Sequence, residues 1–472
     1  MRRGVIALWS VALAAIAPYD HQVRAGGGGG GGARGGGALG GGGMIVGTET
    51  DDARAQNETY AVRFATPWRG SVSATAKVTV FTSPETSGDV ARAVVEGAAR
   101  TLDVYTPSVE SWSGCSRRSA SCVGCEPGYL TANETFVLFR DLINAANRGV
   151  RVRLLTNEFD DARECAGKMS ALSYLSLVFE VRTYRTTTFQ HAKVLIADGE
   201  TVSISSVNWS RGAFLENREA GVAIEKSPGA AQYVSRVYSY DWSVAEPWVA
   251  PNIGISDDDI KRIRDGRFLQ PFEIERRNIS EPHYEAWPLG DPVVVSEDAI
   301  DISVSPDAGA ATMMEFINVS THSSLDVYTY QITDDRFADA IVALALDRNV
   351  RVRILLSRAI YSDRDRRLST LVVDRMRRTA KGKIMFLSSP HFYRYAHLKV
   401  MISDGTAVAV STGNLSPSDL PFPVHPFPPH EASINRDFEV IIRNGDVVER
   451  FARLFEGDLE LGATPYRRPS KF

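Results

Sequence analysis

Histidine, lysine and cysteine are among the scarce residues of this 472-residue chain, with eight, nine and four copies. Little lysine does not mean little positive charge, because arginine supplies 44 of the 53 basic side chains, a skew we read as coding bias. Against 57 acidic residues the net charge is −4, with an isoelectric point of about 6.1. That balance excludes a global basic field of the kind that gathers nucleic acid and leaves only a local groove for the purpose. Long apolar runs are missing too. The run from Gly4 to Ile16 falls short of the ~20 residues a membrane-spanning helix needs, so the mature protein is expected to be soluble or peripheral. A hydrophobic content of 44% is ordinary for sizeable cores, and the length allows two or three domains.

The short apolar run follows Met1-Arg2-Arg3 and precedes small residues, with Ala25 before Gly26 as a cleavage point. This reads as a signal peptide over residues 1–25, or alternatively as an uncleaved signal anchor, and places the protein outside the cell or in a secretory or endolysosomal lumen. Cys115, Cys122, Cys125 and Cys165 all lie in the first half. An even count in a secretory chain reads as two disulfides, with a zinc site as the alternative because Cys122-x-x-Cys125 has ligand spacing. Asn57, Asn133, Asn278 and Asn318 begin N-x-[ST] sequons, which fits a glycosylating pathway. Residues 26–43 are almost all glycine and cannot bury apolar surface, so 26–58 is a flexible linker.

The scarce residues recur in one pattern. His191-Ala192-Lys193 runs through an apolar stretch to Asp198, with Asn208 ten residues on; His397-Leu398-Lys399 runs likewise to Asp404 and Asn414. With so few histidines and lysines, one H-x-K-x4-D match has a chance expectation of roughly 0.01. The repetition extends further. Val78 to Pro84 answers Ile302 to Pro306, Leu102-Asp103-Val104-Tyr105-Thr106 answers Leu325-Asp326-Val327-Tyr328-Thr329, and Arg148 to Leu155 answers Arg348 to Leu355. Each half closes with an amphipathic helix, Ala231 to Trp242 and Val447 to Leu459. Strands alternating with helices predict an α/β layer structure with mixed, largely parallel sheets, duplicated as units over 59–250 and 296–472 with a connector at 251–295. Insertions distinguish the halves, Pro107 to Asn133 in the first and Pro421 to Pro429 in the second.

His and Lys two apart on a strand share a face, while Val194, Ile196, Val400 and Ile402 point to the other and anchor in core. Two facing halves then supply two imidazoles, two ammonium groups and two carboxamides around one pocket. That set suits cleavage of a phosphodiester without a metal or cofactor. Lys193, Lys399, Asn208 and Asn414 are fixed donors to the charge of a five-coordinate transition state, one His attacks phosphorus, and the other hands a proton to the leaving alkoxide.

The paired H-x-K-x4-D-x9-N elements resemble the phospholipase D superfamily, in its form with both motifs in one chain, over roughly residues 65 to 462. The resemblance implies two tandem α-β-α sandwich units related by pseudo-twofold symmetry, one active site at their interface, and a metal-independent route through a phosphohistidine. It implies His191 as nucleophile and His397 as acid/base. The family pattern adds an acid that orients each His, supplied by Glu219 in Asn217-Arg218-Glu219 and Asp437 in Asn435-Arg436-Asp437, with Glu439 as a substitute for the latter. Asp198 and Asp404 resemble residues that brace the backbone. Where the family has Gly-Ser before x-Asn, this chain has Ser205-Ser206 and Ser411-Thr412, and the hydroxyls of Ser206 and Thr412 are carried over as substrate-binding groups.

A secretory leader and the absence of a basic tract favour hydrolysis of a phospholipid head-group diester. The alternative is a secreted or endolysosomal nuclease, with Arg151, Arg153, Arg351 and Arg353 as groove candidates; a third reading is an inactive lipid-binding or scaffold protein. The Pro421–Pro429 loop, with Phe422 and Phe427, reads as a stiff surface loop or as a lip making peripheral membrane contact. The sequence calls for no obligate protein partner.

Overall fold

The computed structural model describes residues 62–109, 137–157, 172, 175–249, 256–264, 277–282, 284–422 and 434–471. The leader, the glycine tract, all four cysteines and most of both insertions lie outside the described residues. Among the described residues no helix is long and apolar enough to cross a membrane.

Two sheets share one strand order. In the first, Glu180–Thr183, Arg151–Thr156, Thr101–Tyr105, Val194–Ala197, Thr201–Ser205, Glu219–Glu225 and Thr75–Ser83 lie side by side. In the second, the sequence is Ile384–Ser388, Arg351–Leu356, Ser324–Thr329, Lys399–Ser403, Ala407–Ser411, Asn435–Ile442 and Ile300–Ser305. The sheets are mixed, as expected, but the expected predominance of parallel pairing is corrected here. Only the first three strands of each set are parallel, joined in the first crossover by helices Val137–Asn147 and Asp335–Asp347, and the remaining pairings are antiparallel. The physical reason is local. The strand after each His–Lys pair returns at once through a tight turn, in which Asp198 and Gly199 (φ 55° and 71°) and Asp404 and Gly405 (φ 53° and 65°) are left-handed. An Asp-Gly pair with both φ positive makes the hairpin turn that matches strand twist, and a hairpin can only be antiparallel.

The outermost strands are exchanged. Val293–Ser296, which leads into the second half, pairs with Thr75–Ser83 of the first sheet, and Trp68–Arg69, which leads into the first half, pairs with Ile300–Ser305 of the second. One hydrophobic cluster spans both sheets and the closing helices Pro228–Val244 and Gly445–Glu460, and contains Val194, Ile196, Val400 and Ile402. Two further clusters, one per half, cover the other sheet faces with helices such as Ser87–Gly97 and Gly309–Asn318.

Two buried arginines stitch the halves. Arg218 donates to Asp458 of the second closing helix at 2.9 and 2.8 Å and to Glu85 of its own half at 2.7 Å. Arg436 mirrors it, donating to Asp241 of the first closing helix at 2.9 and 2.9 Å and to Asp307 at 2.9 Å, with all three side chains fully buried. Tyr105 and Tyr328 complete the symmetry by donating to Asp241 at 2.6 Å and Asp458 at 2.7 Å.

Candidate active site

The site is set by backbone register between the halves. Phe189–Gln190 pairs in parallel with Asn435–Arg436, and Arg218 bridges Ala396 in the same sense. The His191 N–H then donates to the Arg436 carbonyl at 3.0 Å and the His397 N–H to the Arg218 carbonyl at 2.8 Å. Because an acid follows each arginine, this register delivers Asp437 to His191 and Glu219 to His397. His191 Nδ1 lies 3.0 Å from Asp437 Oδ1, and His397 Nδ1 lies 3.0 Å from each Glu219 oxygen. Each imidazole thus takes its carboxylate from the opposite half. A carboxylate on Nδ1 fixes the ring and its tautomer and leaves Nε2 for chemistry.

The two ammonium groups are folded against the same loops. Lys193 Nζ donates to the His191 carbonyl and, at 3.3 Å, to that of Thr412 in the other half. Lys399 Nζ donates to the His397 carbonyl at 2.6 Å and lies 3.0 Å from His397 Nε2. Burial pushes Lys193 down to about 8, against the pull of Asp437, Asp419 and Glu219. Burial, reinforced by Lys193, pushes Lys399 down to about 7. His397 is pushed down to about 4, again chiefly by burial. Glu219, although burial works to raise it, is held below its ordinary range by His397, Lys399 and Ser206. Removal from water depresses His397 whatever the charge on its partner Glu219.

The remaining expected residues separate. Among the described residues, Asn208 and Asn414 both keep a buried Oδ1 that accepts no hydrogen bond, and Asn414 gives its backbone N–H and its side-chain amide to Asp419 Oδ2 at 2.7 and 2.8 Å. The hydroxyls read as substrate-binding lie elsewhere. Ser206 donates to Glu219 at 2.6 Å and Thr412 to Asp437 at 2.5 Å, so both are fully buried behind the acids and brace them. Glu439 does not substitute for Asp437; Ser303 and Ser305 hold it at 2.9 and 3.0 Å, and burial, with Asp437 nearby, pushes its carboxyl up to about 8. Asp198 and Asp404 sit in the hairpin turns, each accepting three backbone N–H groups, from Ala99, Arg100 and Thr101 and from His322, Ser323 and Ser324. Arg153 and Arg353 are spent on Asp103 and Asp326 in the neighbouring strands. Phe422 packs on Phe337 under the Arg336 guanidinium and is no lip, while Phe427 lies outside the described residues.

Sequence reasoning missed Asp419. It is buried, lies 3.7 Å from His191 Nδ1, and accepts from Asn435 at 2.5 Å as well as from Asn414. No repeat flags it, because the position five residues after Asn208 is Ala213. The bridging arginines were also missed, although the doubled Ser-Pro-acid and Asn-Arg-acid triplets carried the signal. His191, Asp419 and Asp437 bring three potential ligand atoms within 4.8 Å of one another, but the 3.0 Å contact from Nδ1 to Asp437 is a hydrogen bond, and the Lys193 ammonium bears on both acids. A cavity of about 550 Å³ lined by Asp374, Arg377, Arg378 and Arg468 shares no residue with this site.

Against known proteins, a family model described as cardiolipin synthase, PLD-like domain, matches residues 128–242 and 313–459, one segment around each His–Lys pair. The structure of phosphatidylserine synthase from Haemophilus influenzae Rd KW20 matches over 89% of this chain and 92% of its own, at 12% identity and a TM-score of 0.53, a likeness of fold. NUC, a phospholipase D family member from Salmonella typhimurium, matches 37% of this chain and 98% of its own at 18% identity and a TM-score of 0.28. Polyphosphate kinase from Porphyromonas gingivalis matches 84% and 50% at 11% identity and a TM-score of 0.48. No curated protein matches the chain in sequence. With the matched segments covering more than half of its length, the chain belongs to the PLD-like domain family described for cardiolipin synthase, and through it to the phospholipase D superfamily.

Proposed function

We propose that this protein hydrolyses phosphodiesters through a phosphohistidine, with the head-group diester of a phospholipid as substrate. The superfamily acts on phosphodiesters. One observation carries the finer reading: both imidazoles have Nδ1 tied to a buried carboxylate from the opposite half, with a buried lysine beside each. A lone imidazole can attack phosphorus but cannot also protonate the departing oxygen, so two are needed and two are present. Lys193, Lys399 and the amides of Asn208 and Asn414 are the donors for charge that spreads over the phosphoryl oxygens as the bond breaks. Water as acceptor gives hydrolysis; an alcohol in its place gives transfer.

A lipid substrate is favoured over a polynucleotide by the net charge of −4 and by the engagement of Arg153 and Arg353 within their own sheets. A polynucleotide is held through many phosphates and wants a basic track. The reading of residues 1–25 as a signal peptide favours a site of action in the secretory pathway or beyond it, with a signal-anchored protein as the alternative. The test offers purified protein phosphatidylcholine with a primary alcohol and, separately, labelled single-stranded DNA, alongside His191→Ala. Choline release or a phosphatidyl-alcohol, abolished in the variant, supports the proposal. DNA shortening with lipid untouched overturns the substrate, and no turnover of either overturns the enzyme.

A further inference from the structure

The duplication makes the two halves of the site look equivalent, and the surroundings of the two histidines show that they are not. Resting on the phosphodiesterase reading above, we infer that His397 is the nucleophile and His191 the proton donor, the reverse of the order the family resemblance implies, and that Asp419 is the positioning residue that sets this order.

Three features of the geometry carry the assignment. First, Asp419 has no counterpart. His191 Nδ1 faces two buried carboxylates, Asp437 at 3.0 Å and Asp419 at 3.7 Å, whereas among the described residues His397 faces only the Glu219 carboxylate. Two negative charges against one ring compensate an imidazolium, the form a general acid must hold. Second, the lysines are placed differently. Lys399 Nζ lies 3.0 Å from His397 Nε2 and 3.1 Å from Nδ1, and a positive charge that close to both nitrogens disfavours a second proton on the ring. Lys193 turns its ammonium to the carbonyls of His191 and Thr412 instead. Third, the His397 side chain retains 12% exposure against 4% for His191. The attacking ring is the one more open to a substrate, with Tyr330 packed edge-on against it at 4.9 Å. The depression of His397 agrees with this placement.

The steps balance. The His397 Nε2 lone pair forms a bond to phosphorus as the bond from phosphorus to the leaving oxygen breaks, and the His191 Nε2 proton goes to that oxygen. Neutral His191 then takes a proton from water, whose oxygen bonds to phosphorus as the phosphorus–nitrogen bond breaks. This returns the lone pair to His397 and leaves the proton on His191.

The experiment uses the full-length protein and bis(p-nitrophenyl) phosphate, whose leaving group departs without protonation. Rapid alkaline quench of the wild type, followed by peptide mass mapping, should place the phosphoryl adduct on the peptide containing His397, a result that needs no variant to fold. His191→Ala should give a burst of one p-nitrophenolate per enzyme, and His397→Ala none. Asp419→Asn should lose activity about 10-fold or more on an alkyl diester, which needs the acid, and less than about 3-fold on the nitrophenyl ester. An adduct on His191 overturns the order while the diesterase reading stands. Equal losses on both esters overturn the role of Asp419. Turnover with no adduct on either histidine, or no turnover at all, overturns the reading beneath the assignment as well.

Discussion

Replacing Arg436 by methionine tests whether the halves are joined as described. Its guanidinium serves Asp241 and Asp307 at once, each at 2.9 Å, and also donates to the Ser305 carbonyl at 3.0 Å, so its burial is matched by two carboxylates. Arg436→Met keeps the length and the apolar stem but leaves two carboxylates buried without their cation. Removing one partner of a buried pair costs ~3–5 kcal/mol, a large share of the ~5–15 kcal/mol that keeps a domain folded. The deficit has a pH signature. Burial already pushes the Asp241 carboxyl up, with Arg436 opposing it; without the arginine the folded state binds protons that the unfolded state has released. Stability then falls as pH rises from the ordinary carboxylate range. Urea unfolding followed by tryptophan fluorescence should therefore show a larger loss at pH 8 than at pH 5. Adding Asp241→Asn and Asp307→Asn should recover most of it, since a neutral, hydrogen-bonded set carries no uncompensated charge. A single variant within ~1 kcal/mol of wild type at pH 8, or a triple variant no more stable than the single, would refute the reasoning.

Glu219→Gln should leave the unfolding midpoint within a few degrees but reduce kcat by about 10²–10⁴-fold, because the amide no longer selects the His397 tautomer; steady-state kinetics with a melting curve on the same sample checks both. In kcat/KM against pH, activity should fall through pH 7–8 as Lys399 and then Lys193 lose their protons, and a profile flat to pH 9 would contradict it. The stability sign is opposite: with Lys399 at about 7 when folded and 10.5 when unfolded, the unfolded chain binds more protons between those values, so this lysine's contribution to stability rises with pH there. Asn278 and Asn318 are exposed and begin sequons, so protein from a glycosylating host should shift in mass on glycosidase treatment and Asn278→Gln plus Asn318→Gln should reduce the shift.

What the sequence made legible was whatever the duplication wrote twice. The paired strand segments, the closing helices and the His–Lys pairs recur from one half to the other, and the repetition exposed them; the acids at 219 and 437, which follow the two His–Lys pairs at different spacings, came from the family resemblance. Pairing direction was not written in that way, because it turned on two Asp-Gly turns whose positive φ values convert an expected crossover into a hairpin. Nor did the repeat say which acid serves which histidine, since strand pairing between distant segments is a matter of register rather than of local pattern. Ser206 and Thr412 were read toward a substrate because a hydroxyl beside the Asn of the motif suits a phosphate, whereas their side chains point inward to the carboxylates. Asp419 was invisible because it occurs once.

The exchanged edge strands have a bearing on the timing of synthesis. Thr75–Ser83 receives its outer neighbour from Val293–Ser296, about 210 residues downstream. At a translation rate of ~5–20 residues per second, the outer edge of the first sheet emerges from the ribosome and then waits roughly 10–40 s for its cover. During that interval it presents unpaired N–H and C=O groups, the exposure that natural edges are built to avoid. Trp68–Arg69 waits as well, for Ile300–Ser305 to arrive. The two units therefore cannot mature one after the other as beads on a chain; the first is finished only when the second has begun.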